Sequence, residues 1–224
     1  MIFMIHVKNR EIVVPGELIA TGNFHVQLGA EKDGENIYST VVGITYIDQE
    51  KKYIKIVPLR GKYMPRVGDS VIGVVEELAL KKAILDINSA HKGILDIRDV
   101  TMDRSAEINK VFSVGDTVYS KVSDVSGSVS LYAKPPYGKL HGGRIINIPS
   151  TKIPRVIGKK GSMISIIKKY TECKIYVGQN GTIWVKGRDE GEDLALKAIK
   201  IISAESHTSG LTERITKFLE EKVI

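Results

Sequence analysis

One seven-residue stretch, Val156-Ile157-Gly158-Lys159-Lys160-Gly161-Ser162, constrains this chain more than any other. After it, Met163, Ile166, Ile167 and Tyr170 recur at i, i+3, i+4 and i+7, so they share one face of a helix that Ser162 is placed to cap. A second helix is expected immediately before it. Two helices can meet this closely only if the junction carries almost no side chain, which is what a Gly-x-x-Gly turn supplies. The same turn lets a sugar-phosphate chain approach the main chain, and the amides and dipole at the next helix start favour phosphate. Lys159 and Lys160 add mobile positive charge there, and Ile157 can form an apolar wall beside them. A nucleotide-triphosphate loop is excluded, because Gly161-Ser162 lacks the Gly-Lys-[Ser/Thr] ending.

The surroundings decide how this turn is read, since a lone Gly-x-x-Gly is by default only a tight corner. Arg144–Ile148 reads as a strand before the helices; Lys174–Val177 and Thr182–Lys186 read as strands after them, joined by a hairpin at Gly178-Gln179-Asn180-Gly181. A longer helix follows, with Asp189 and Glu192 at its N-terminal cap and Leu194, Ala198, Ile201 and Ile202 as its buried face. Leu211, Ile215, Phe218 and Leu219 give a terminal amphipathic helix, which covers the sheet or contacts a neighbouring subunit. The order strand-helix-helix-strand-strand-helix around Ile-Gly-x-x-Gly-x-x-Ile resembles a type I KH domain. That resemblance implies a loop clamping about four nucleotides of single strand.

Charge agrees. Residues 1–63 hold 8 basic and 7 acidic side chains, residues 64–138 hold 9 and 10, and residues 139–224 hold 16 and 9, so the net charge of +7 lies entirely in the last part. From Thr151 to Tyr170 there are Lys152, Arg155, Lys159, Lys160, Lys168 and Lys169 and no acid, whereas a merely solvated face normally mixes both signs. A polyanionic partner fits that excess.

The first sixty residues read as a small all-β module: Ile12-Val13-Val14 into a Pro15-Gly16-Glu17 turn, then strands over Ile37–Ile44 and Tyr53–Val57. From Tyr63-Met64-Pro65 a second β stretch offers five strands, Ser70–Val75, Ala83–Ile87, Gly93–Ile97, Thr117–Val122 and Ser128–Leu131, the complement of an OB-fold barrel. An irregular segment from Asp99 to Asn109 is expected to carry a helical turn. Lys134-Pro135-Pro136-Tyr137-Gly138 reads as a linker, because two prolines interrupt any regular element. The middle stretch resembles the S-one type of RNA-binding OB-fold through Val67-Gly68-Asp69-x-Val71-x-Gly73-x-Val75, Lys92-Gly93-Ile94-Leu95, Val114-Gly115-Asp116 and Val129-Ser130-Leu131. It departs from members that grip bases, since strands two and three carry no aromatic ring. Lys81, Lys82, Arg98 and Lys121 are then its candidate contacts, which suits a weak guide or an assembly platform.

At 224 residues with 42% hydrophobic content, the chain has room for two or three small cores, and no apolar run is long enough to cross a bilayer. The first eight residues lack a basic region ahead of their apolar ones, so no secretory leader is expected. Cys173 stands alone, which excludes an internal disulfide and a cysteine-built zinc site and fits a reducing cytoplasm. His6, His25, His91, His141 and His207 lack ligand spacing, and the acids at Glu76-Glu77 and Asp189–Asp193 suit a strand end and a helix start. No catalytic constellation, metal or cofactor is expected.

The whole chain resembles the RNA-binding cap subunits of the archaeal-type RNA exosome, the ribosomal-RNA-processing protein four family. The resemblance rests on Val13-Val14-Pro15-Gly16-Glu17, Pro58-Leu59-x-Gly61-x-Tyr63-x-Pro65 and Tyr137-Gly138-Lys139-Leu140 as well as the motifs above. It implies an N-terminal β domain at 1–63 that docks on a ring, an S-one-type OB-fold at 64–134, a linker at 135–142, a KH domain at 143–206 and a C-terminal helix extension at 207–224. It further implies a non-catalytic subunit that binds single-stranded RNA, with a bias to adenine-rich tails. Three copies, or a mixed cap with a zinc-ribbon sister, would sit on six RNase-PH-like subunits that cut phosphorolytically. The implied RNA-binding residues are Lys152, Arg155, Ile157, Gly158, Lys159, Lys160, Gly161 and Ser162, with Lys81, Lys82, Arg98 and Lys121. The competing expectation is an S-one/KH factor of transcription elongation or translation. Elongation factors of that kind usually carry two KH domains, and polynucleotide phosphorylases place KH first.

Overall fold

Short alternating apolar runs build the first unit, residues 1–61, as a pair of small sheets; residues 62–224 form a second unit. The computed structural model describes residues 4–26, 29–59, 63–102, 107–126, 128–205, 208 and 210–223. Gly61, His207 and part of the irregular 99–109 segment therefore lie outside the described residues.

In the first unit, β1 (Met4–Ile5), β3 (Leu18–Thr21), β6 (Asn36–Ser39) and β5 (Ala30–Asp33) form one sheet in the order β1-β3-β6-β5. The second sheet runs β2-β7-β8-β4, from β2 (Ile12–Val13), β7 (Gly43–Asp48), β8 (Tyr53–Pro58) and β4 (His25–Val26). The run Ile37–Ile44, expected as one strand, is two: β6 and β7 belong to different sheets. A turn at 40–42 lets one apolar run line both sides of the core made by Val13, Ile19, Phe24, Ile37, Ile54 and Ile56. Each such side chain, fully buried, contributes about 1.5–3 kcal/mol relative to exposure.

The second unit opens with the barrel. β9 (Ser70–Ala79), β10 (Lys82–Asp86), β11 (Gly93–Asp96), β12 (Thr117–Asp124) and β13 (Val129–Tyr132) close because β13 pairs with β12 antiparallel and with β11 parallel. All five expected strands are present. Inward Val71, Val75, Leu85, Leu95, Val118 and Leu131 pack together with Ile108 and Phe112, which bracket the short helix α1 (Ile108–Val111). The stretch after the two prolines is not simply a connector. β14 (Gly138–Leu140) pairs with Thr117–Tyr119 and extends the barrel sheet, because the chain resumes extended geometry as soon as the prolines are passed.

β15 (Arg144–Asn147), β17 (Thr182–Lys186) and β16 (Lys174–Val177) form an antiparallel sheet in that order. α2 (Ile153–Ile157), α3 (Ser162–Thr171), α4 (Asp189–Ala204) and α5 (Leu211–Val223) build its core with Ile175, Ile183 and Val185. This is the type I KH arrangement with a further helix. The buried face of α4 is Ala195, Ala198, Ile199 and Ile202; Leu194 and Ile201, expected inside, are half-buried. Arg188 rather than Asp189 is the N-cap residue of α4, and Glu192 accepts from the Gly187 amide (3.0 Å). α5 neither covers the sheet nor stands off: Leu211, Ile215 and Leu219 pack into the helical layer against α3 and α4.

The β16–β17 hairpin is driven into the barrel. Its Asn180 is fully buried and donates through Nδ2 to the carbonyls of Ile72 (2.8 Å) and Ile87 (2.9 Å), while Oδ1 accepts from the Ile72 amide (3.3 Å). Gln179 exchanges two 2.8 Å hydrogen bonds with the Ser70 backbone, and Asn88 donates to the Asn180 carbonyl (3.0 Å). Barrel and KH domain are thereby fastened by main-chain groups of β9 and by Ile87 and Asn88 just past β10, so their relative orientation is set by hydrogen bonds and not by a linker.

Candidate nucleic-acid interface

α2 and α3 are joined by a single tight turn, and its conformation explains its glycines. Gly158 (φ 75, ψ 174) occupies a region open essentially to glycine alone, and a Cβ there would lie 2.6 Å from the Met163 amide nitrogen. Gly161 is left-handed (φ 80, ψ 11) but opens on space, with its nearest neighbour 4.0 Å away. The first glycine serves packing; the second serves only the backbone turn. Gly158→Ala is therefore expected to cost about 1–3 kcal/mol, and Gly161→Ala about 1 kcal/mol. Thermal melts showing equal losses would contradict this division.

Gly161 itself is the N-cap residue of α3; Ser162, expected to cap, is its first residue and makes no capping hydrogen bond. Lys159 and Lys160 are exposed at the tip of the turn, Lys160 in a left-handed conformation (φ 53). Among the described residues neither they nor Arg155 has a carboxylate partner. Lys152, one turn earlier, is half-buried. Beside the turn runs an apolar cleft lined by Ile153, Pro154, Ile157, Gly158 and, from the hairpin, Gln179. Cations at a helix start next to a narrow apolar cleft can hold phosphates on one side and bases on the other. Lys152, the N-cap residue of α2, and Arg155 and Ile157 within it lead directly into the turn.

The barrel residues sit differently. Lys82 pairs with Asp96 across β10 and β11, Leu95 pairs with Leu131, and Lys121 pairs with Tyr132. Lys82, Asp96, Tyr132 and Lys121 thus form one outward row around the barrel. Tyr132 was missed by sequence reasoning, which looked for aromatic rings only on the second and third strands; its place follows from barrel closure. Arg98 does not extend this basic row as a free charge. It grips Asp96 with both arms (2.9 and 3.1 Å), and that hydrogen bond holds the Asp96 carboxyl below the usual carboxylate range. Lys81 and Lys82 are exposed at the β9–β10 turn.

An OB-fold barrel locked to a type I KH domain whose glycine–lysine turn faces solvent defines a single-strand nucleic-acid-binding protein. The comparisons make the assignment specific. Residues 10–60 match the family model of the exosome RNA binding protein RRP4 N-terminal domain, 62–124 that of the RRP4 S1 domain and 143–191 that of the KH domain. The chain is 43% identical to the exosome complex component Rrp4 of Methanobrevibacter smithii, covering 95% of this chain and 72% of the relative. It is 43% identical to that of Pyrococcus furiosus (98% and 86% covered) and 41% identical to that of Methanothermus fervidus (96% and 98%). Among solved structures, a crystal structure described as that of a candidate exosome complex RNA-binding protein matches 72% of this chain and 97% of its own, at TM-score 0.65 and 36% identity. The chain belongs to the Rrp4 family of exosome components.

Proposed function

We propose that this chain is a non-catalytic cap subunit of an exosome: it binds single-stranded RNA and passes it to nuclease subunits that degrade it phosphorolytically. The reading is carried by the acid-free Gly158–Gly161 turn, presented to solvent in a chain whose three domains match the Rrp4 family in order. Lys159, Lys160 and Arg155 hold the phosphodiesters, Ile157 and Pro154 wall the bases, and Lys152, Gly158, Gly161 and Ser162 shape the turn. The outward barrel row, with Lys121 beside Tyr132 and Lys82 at its far end beyond Asp96, guides the strand more weakly. An adenine-rich tail is the favoured substrate, in the cytoplasm, and the cap is either three copies or a mixture with a zinc-ribbon sister.

The first unit is the ring-docking part of this proposal, and its surface supports the assignment. Ile12, paired with Ile44, and Tyr46, two residues further on, share the face of the β2-β7-β8-β4 sheet turned from the core. Val14, Val42 and Leu59 stand exposed beside them, Leu59 donating its amide to Val42. Ile12 is 62% and Val14 53% exposed, and a contiguous apolar patch of this kind on a small module marks a protein interface. Ile12→Glu with Tyr46→Glu is expected to leave the sheet folded and to abolish co-purification with an RNase-PH-like hexamer. Native mass measurement of the assembly checks this, and a ring retaining the variant overturns the docking assignment.

A further inference from the structure

On the far side of the KH sheet from its helices lies a second groove. Four of its lining residues are aromatic, Tyr119 and Tyr137 from the barrel side and Tyr176 and Trp184 from the KH sheet. Their rings follow one another at 4.9 Å (Tyr137–Tyr119), 4.8 Å (Tyr119–Tyr176) and 5.7 Å (Tyr176–Trp184). Trp184 is buried and donates to the Gly142 carbonyl (2.7 Å), so it anchors the row, while the three tyrosines are half-buried and keep part of their surface in water. Lys174 lies over the Tyr176 ring at 5.3 Å, and Lys186 donates to the His141 carbonyl (2.6 Å). No acid lines the groove among the described residues, and nearby Asp116 is taken up by Lys139 at 2.5 Å. The larger cleft between α3 and α4 is different, mixing Lys169, Arg188 and Lys197 with Glu172, Glu190 and Asp193.

Aromatic rings interleaved with unneutralised lysines are the surface chemistry that single-stranded nucleic acid recognises, through ring contacts to bases and charge to phosphates. The position adds a second argument. Gln179, which walls the KH cleft, is hydrogen-bonded to Ser70, and the Ser70 hydroxyl lies 3.3 Å from the Tyr137 hydroxyl. Tyr137 in turn meets Tyr132 of the outward barrel row edge-on at 6.5 Å. A strand leaving the KH cleft past Gln179 therefore meets Tyr137 next, and the barrel row after it.

We propose that this tyrosine–lysine groove is a second contact site for the same RNA strand, joining the KH cleft to the barrel face in one continuous track. The proposal rests on the RNA-binding reading above and extends it from a four-nucleotide clamp to a longer footprint. The test compares adenine tetramers and dodecamers, by competition and fluorescence anisotropy, on the full chain and two variants. Lys174→Glu, at an exposed side chain on a strand edge, is expected to weaken the dodecamer about fivefold and to leave the tetramer unchanged. Lys159→Asp with Lys160→Asp is expected to weaken both. A photoreactive uridine within the dodecamer should crosslink to peptides containing Tyr137 or Tyr176. If Lys174→Glu binds the dodecamer as the unchanged chain does and these peptides acquire no crosslink, the groove is an aromatic domain contact only and the proposal fails, while the loop variant's loss keeps the RNA-binding reading. If neither oligonucleotide binds the unchanged chain, both readings fall together.

Discussion

Reversing both charges at the turn, Lys159→Asp with Lys160→Asp, is expected to weaken single-stranded RNA binding about tenfold or more without unfolding the KH domain. Both side chains are exposed and without carboxylate partners among the described residues, so nothing in the fold depends on them. Position 160 is left-handed (φ 53), and aspartate is among the few residues that tolerate that geometry, which is why it is preferred here to glutamate. A clamp on about four phosphates predicts that log affinity falls with log salt at a slope of about −3 for the unchanged chain, and at a shallower slope for the variant. A double variant with an unchanged melting temperature and unchanged affinity would remove the turn from the interface.

The second large effect is expected at a residue that touches no RNA. Asn180→Ala deletes four hydrogen bonds from a position with no access to water, and each buried partner left unmade costs about 1–3 kcal/mol. A loss near 3 kcal/mol corresponds to about 6–12 °C in melting temperature for a unit of this size. Asn180→Asp is expected to be no better, because a carboxylate cannot donate to the Ile72 and Ile87 carbonyls and its charge would be buried. A melting temperature within about 2 °C of the parent for either variant would mean that water replaces the amide.

These two sites differ in how far they could be read from residues alone. The turn at Gly158–Gly161 is a local device. Its glycines are required by dihedral angles within four residues, its lysines are adjacent in sequence, and the apolar spacing of α3 announces the helix it opens. The five barrel strands were legible for the same reason, since alternation is a property of each run. Asn180 gives no local signal. In Gly178-Gln179-Asn180-Gly181 it reads as an ordinary hairpin tip, which by default faces water, and only the arrival of β9 makes it a buried hub. β14 was hidden by the prolines before it, and Arg98, counted as a free cation, is held by Asp96 two residues away.

Periodicity, backbone-restricted glycines and a one-sided charge excess act over a few residues, so the chain alone determined its three modules, the glycine–lysine turn and the nature of the ligand it suits. Tertiary structure decided which side of each module is free. Closure of the barrel set Tyr132 between Lys121 and Asp96, and the buried amide of Asn180 fastened barrel to KH domain. That union brought Tyr119 against Tyr176 across 57 residues of sequence, because hydrogen bonds and ring contacts between distant segments exist only once the backbone has brought them within a few ångströms.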